Sequence, residues 1–104
     1  MKHKWEEHLP YLQLLLKAHT KQRKSLIEIA NRDQIRILSE IVYNLLDGNI
    51  PITKLQKEKL RPYERKFLML INETKGLKDL RHMWIKNSKK LITVLLTNTL
   101  QYLQ

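Results

Sequence analysis

Ile35, Leu38, Ile41, Val42, Leu45 and Leu46 recur at three- and four-residue intervals, and no other feature of this chain limits its fold so tightly. On a helix of about 3.6 residues per turn that spacing lines one face, so the segment predicts an amphipathic helix with a buried stripe. Asp47-Gly48-Asn49 should end it, because Gly takes the left-handed conformation favoured just past a helix C-terminus. Pro51 biases Ile50 away from helical angles, which makes Ile50-Pro51-Ile52 an extended connector pinned to the core by its two Ile side chains. Leu and Ile recur at helical spacing elsewhere, β-type alternation is absent, and 2 Gly and 3 Pro leave little material for hairpins. The expected fold class is all-α: a compact bundle of roughly five or six short helices in a single domain over residues 1–104.

The other helices follow from punctuation. Leu9, Leu12, Leu15 and Leu16 mark a first helix from about Trp5 or Pro10 to Ala18. Pro10 suits a first turn but not a helix middle, which would leave residues 1–9 as a mobile N-terminal arm. A second helix, Thr20 to Ala30, presents Leu26, Ile27 and Ile29 and exposes Lys21, Arg23 and Lys24. Asn31 or Asp33 can cap the third. Thr53-Lys-Leu-Gln56 has the form of a capping box and opens a fourth, with Leu55 and Leu60 inward. Pro62 should kink or end that helix, becoming the first residue of the next, which continues through Tyr63, Phe67, Leu70 and Ile71 to Asn72. Thr74-Lys75-Gly76 is a turn, Leu77 to Asn87 a short helix around Leu80, Trp84 and Ile85, and Ser88 the cap of a last helix reaching Tyr102.

Charge is unevenly placed. Thr53 to Lys90 holds twelve Lys and Arg against four acids, which accounts for +8 of the net +10, and Leu91 to Gln104 carries no charged side chain. Concentrated positive potential attracts polyanions, so nucleic acid is the first expected partner, with DNA favoured over RNA. The candidate phosphate contacts are Lys54, Lys57, Arg61, Arg65 and Lys66, then Lys86, Lys89 and Lys90. Lys54, Lys57 and Arg61 share a face if the helix persists to Arg61; Arg65 joins them only if Pro62 does not swing the axis away. The plain alternative is that these are solvated lysines keeping a small bundle in solution. Sequence-specific reading is a weaker idea: Thr20 to Ala30, a three-residue break and Gln34 to Leu46 have helix-turn-helix proportions, with Arg32, Gln34 and Arg36 toward the groove. Tyr63, Trp84 and Trp5 could stack on unpaired bases, or simply belong to the core.

The uncharged last helix offers a second class of function. Leu91, Val94, Leu95 and Leu100 are either central to the core or the interface of a homodimer or virion protein. On that reading the protein is an adaptor or virion assembly component whose basic half binds an acidic partner.

Leu14-Leu-Leu-Lys-Ala18, Lys21-Gln-Arg-Lys-Ser-Leu-Ile-Glu-Ile-Ala30, Leu38-Ser-Glu-Ile-Val-Tyr-Asn-Leu-Leu-Asp-Gly-Asn-Ile-Pro-Ile52 and Leu55-Gln-Lys-Glu-Lys-Leu-Arg61 together carry a likeness. Over Leu12 to Leu96, and most specifically at Leu46 to Pro51, the chain resembles a family of small basic proteins encoded in Maverick (Polinton) elements and adintovirus-like genomes. Pro62 departs from the family's pattern, as does the absence of a Gln-x-Gly-Gly-Phe-type segment around Asn87 to Lys90. The resemblance implies a viral or mobile-element setting and a DNA-packaging or virion-associated role.

Several classes are disfavoured. With no Cys there is neither a disulfide framework nor a thiolate zinc site. His3, His8, His19 and His82 lack the three- or four-residue spacing of a compact metal-ligand pair, so no metal is expected. No Cys nucleophile, Gly-rich phosphate loop or convincing carboxylate pair suggests an enzyme, and no cofactor or small-molecule substrate is expected. The most apolar stretch, Leu91 to Leu100, is too short for a bilayer, and no signal-type run opens the chain. A soluble, intracellular protein with no membrane partner is expected, in the nucleus or virion if the resemblance holds.

Overall fold

The computed structural model describes residues 4–71 and 76–103. Its elements are α1 (Leu9–Lys17), α2 (Thr20–Glu28), α3 (Arg32–Leu46), α4 (Lys54–Leu60), α5 (Glu64–Leu70), α6 (Leu77–Lys86) and α7 (Leu91–Leu103). A 3-10 turn, Lys4–His8, precedes α1, and another, Arg61–Tyr63, joins α4 to α5. The all-α expectation holds. The Asn72 end of the fifth segment, the Thr74-Lys75 turn and His3 lie outside the described residues.

Three helices open in the same way. In α2, α3 and α4 a Gln at the third position accepts the N-cap backbone N–H: Gln22 from His19 at 3.1 Å, Gln34 from Asn31 at 3.0 Å and Gln56 from Thr53 at 2.9 Å. Asn31 and Thr53 complete their boxes by accepting the N–H of Gln34 and Gln56. The end of α3 is a Schellman turn. Asn49 N–H reaches the Asn44 carbonyl at 2.8 Å, Gly48 N–H reaches Leu45 at 3.3 Å, and Gly48 has φ +80.

The α3 stripe is buried at Ile35, Leu38, Ile41 and Val42 and packs against α5 and α6. Trp84 on α6 donates Nε1–H to Ser39 Oγ at 3.3 Å, and Ser39 donates to the Leu70 carbonyl at 2.9 Å, tying three helices at one point. α7 packs against α1 and α4. It buries Leu91, Ile92, Leu95, Leu96, Leu100 and Leu103 together with Asn98 and Thr99. The two polar side chains are accommodated because each donates to a carbonyl one turn earlier, Asn98 to Val94 and Thr99 to Leu95.

The structure corrects several expectations. Lys4 to His8 is not a free arm: the 3-10 turn packs on α1 and α3, and half-buried Trp5 joins the core. α2 stops at Glu28 and leaves Ile29 80% exposed, while Leu55, expected inward, is 63% exposed. Ser88 does not cap α7; it is buried in the preceding turn, and its Oγ has no hydrogen-bond partner. Arg23, expected at the surface, is 5% exposed.

Candidate nucleic-acid interface

Lys54, Lys57, Arg61, Arg65, Lys66, Lys86, Lys89 and Lys90 are all exposed, and none of their charged side chains hydrogen-bonds or ion-pairs with a described residue. They do not form one cluster. Five stand on the run from α4 to α5. The other three stand at the end of α6 and in the turn before α7. Gln56 on α4 accepts a hydrogen bond from Tyr102 Oη at 3.2 Å, which places α4 against the C-terminal end of α7. Lys89 and Lys90 precede its N-terminal end. At about 1.5 Å rise per residue, roughly 18 Å of helix lies between Lys90 and Tyr102.

Within the first group, Lys54 and Lys57 stand on α4, which ends at Leu60; Arg61 follows as the first residue of the 3-10 turn, its N–H still bonded to the Lys57 carbonyl. Pro62 neither continues that helix nor starts the next: it sits inside the Arg61–Tyr63 3-10 turn, and α5 begins at Glu64. Arg65 and Lys66 thus stand on a separate helix from Lys54 and Lys57. Lys57 and Arg61, with Glu64, also line a hollow of about 250 Å³ whose apolar wall includes Leu45, Ile52, Leu60 and Phe67.

Two other arginines are used internally. Arg23 donates Nε–H to the Leu15 carbonyl at 2.8 Å and Nη2–H to Leu16 at 3.1 Å. Its Nη1 donates to the Ser88 carbonyl at 2.7 Å, the Lys89 carbonyl at 3.1 Å and Thr93 Oγ1 at 2.7 Å. No carboxylate takes part in these contacts. Free carbonyls at the end of α1 attract a cation through the helix dipole and need donors in any case. Burial pushes the Arg23 pKa down from its ordinary value. Arg81, counted above within the basic stretch, serves the end of α2: Nη1 donates to the carbonyls of Ile27, Glu28 and Ala30 at 3.0, 2.8 and 2.7 Å. Beside it, Tyr11 Oη donates to the Leu26 carbonyl at 3.1 Å. Burial pushes the Tyr11 phenol from 10.0 up to about 12, against a smaller opposing effect of the Arg81 charge.

The remaining expectations divide. Trp84 is fully buried and unavailable for base stacking, and Tyr63 is half-buried with its ring 6.4 Å from that of Phe67. In the helix-turn-helix picture Arg32 and Arg36 are exposed, but the Gln34 amide is occupied by the α3 cap. Leu91, Leu95 and Leu100 are buried in this chain's own core and Val94 is half-buried, so α7 does not present the expected partner face. Exposed Leu14 and Ile29 instead line an apolar groove of about 460 Å³ between α1 and α2. Among the described residues no group of three or more His, Asp or Glu could hold a metal ion, and no helix is long and apolar enough to cross a membrane.

Comparison of the chain with family models, with curated proteins and with solved structures finds no match.

Proposed function

We propose that this is a non-catalytic nucleic-acid-binding or packaging protein that contacts backbone phosphates without strong sequence specificity, with DNA preferred to RNA. One observation carries the reading: eight exposed cations, set on rigid helices and turns, have no carboxylate partner within the described chain. A surface that serves only solubility mixes both signs more evenly. Each Lys or Arg that meets a phosphate releases condensed counterions, so binding weakens steeply as salt rises. A viral or mobile-element setting rests on the likeness at Leu46 to Pro51.

The test is a fluorescence-anisotropy titration with DNA and RNA duplexes and single strands at several salt concentrations. Sub-micromolar affinity near physiological salt with a steep negative slope of log affinity on log salt is the expected result. Loss of all binding at physiological salt would overturn the reading.

The hollow beside Lys57 and Arg61 favours a second reading, an adaptor for an acidic protein segment. An apolar side chain of the partner would fill the hollow while its flanking carboxylates meet the two cations. A peptide alternating Asp or Glu with Leu or Phe should then compete with nucleic acid for the α4 face.

A further inference from the structure

The tertiary structure joins two segments that are far apart in the chain. Lys17 to Lys24 contains Lys17, Lys21, Arg23 and Lys24 and no carboxylate; Lys86 to Lys90 contains Lys86, Lys89 and Lys90 and no carboxylate. Arg23 is the joint. It holds the carbonyls of Leu15 and Leu16 at the α1–α2 corner and, through Nη1, the turn that leads into α7.

α2 and α6 lie side by side in opposite directions. Arg23, early in α2, meets residues just beyond the end of α6, while Arg81, within α6, meets the end of α2. Exposed Lys17, Lys21 and Lys24 therefore crowd the same end of the bundle as exposed Lys86, Lys89 and Lys90. The acids of these two helices point the other way along the chain: Glu28 closes α2, and Asp79 lies in the first turn of α6. Seven cations with no acid make this corner denser in charge than Lys54 to Lys66, where six cations share the run with Glu58 and Glu64. Like charges so placed repel each other, and a polyanion relieves that repulsion while the buried Arg23 adds to the same potential.

We infer that this corner is a second phosphate-binding surface, taking the backbone of a DNA duplex through Lys17, Lys21, Lys24, Lys86, Lys89 and Lys90, with Arg23 fixing the two segments together. The inference rests on the nucleic-acid reading above and adds to it a site that includes the N-terminal half of the chain. The corner lies at the N-terminal end of α7, about 18 Å of helix from Tyr102, where Gln56 of α4 packs.

The experiment is an amide-shift titration of the full chain with a short DNA duplex at physiological salt, paired with a Lys17→Gln/Lys21→Gln/Lys24→Gln variant. We expect shifts over residues 17–24 and 86–90, and a salt slope for the variant that is shallower by about 3. These lysines are exposed, so the helical circular dichroism of the variant should match that of the wild type. Shifts confined to residues 54–66, with wild-type binding by the variant, would overturn the corner site and leave the broader reading intact. No shift at any position would overturn both.

Discussion

Arg23 Nη1 lies 2.7 Å from the Ser88 carbonyl oxygen, across a separation of 65 residues, and this contact closes the bundle around a cation with no anionic partner among the described residues. Carbonyl oxygens from two chain segments stand in for a carboxylate. The arrangement is stable only while the planar fork of the guanidinium reaches both segments at once.

Arg23→Ala should therefore destabilise the fold by about 3 kcal/mol, because it strands buried carbonyls that had a charged donor. Arg23→Lys should recover little, since a single ammonium cannot span Leu15 and Ser88 together. Urea denaturation checks this; a midpoint unchanged in both variants would show that the clamp contributes nothing.

Ser88→Ala should be neutral or stabilising by up to about 1 kcal/mol, since the hydroxyl is buried without a partner and its removal takes away a desolvation cost. A capping Ser would behave in the opposite way, losing about 1 kcal/mol on the same change. The sign of the shift in thermal midpoint decides between them.

At Gly48 an added Cβ would meet nothing within 4 Å, so the constraint there is the positive φ alone. Gly48→Ala should cost about 1 to 2 kcal/mol and Gly48→Asn less, because Asn tolerates the left-handed region. Equal losses for the two would point to a steric cause instead.

Tyr11 makes stability fall at high pH. Its folded-state pKa is raised from 10.0 to about 12, so the neutral phenol is the form that the fold prefers. The contribution is complete below 10.0 and is lost as pH climbs toward about 12. Ultraviolet titration should find one late-ionising phenol that Tyr11→Phe removes, and the variant's stability should vary less over that window.

Changing Lys54, Lys57, Arg61 and Arg65 to Gln should weaken DNA binding and make the salt slope shallower by about 3 to 4, with helicity unchanged. Because Arg65 stands on α5, beyond the 3-10 turn that follows α4, Arg65→Gln alone should cost less than Arg61→Gln. Equal binding by the fourfold variant would remove this face from the interface.

Local rules determined much of this protein from the sequence by itself. The α3 stripe from Ile35 to Val42, the Thr53–Gln56 box and the left-handed Gly48 depend on neighbours within a few residues and stand as their spacing predicts. The stripe's last two residues do not: Leu45 is half-buried and Leu46 exposed at the end of the helix. The eight candidate cations could also be read as exposed, because long charged side chains seldom pay desolvation without a partner. The tertiary structure alone decided the fate of Arg23 and Arg81. In sequence they look like any surface arginine, and only the arrival of distant carbonyls makes the burial of Arg23 and the half-burial of Arg81 favourable. It likewise decided that α7 buries its apolar residues within the chain, and that Lys17, Lys21 and Lys24 share a corner with Lys86, Lys89 and Lys90. Helix periodicity states which face is apolar; which helix comes to cover that face, and which charges the packing brings together, depend on long-range contacts that no local spacing encodes.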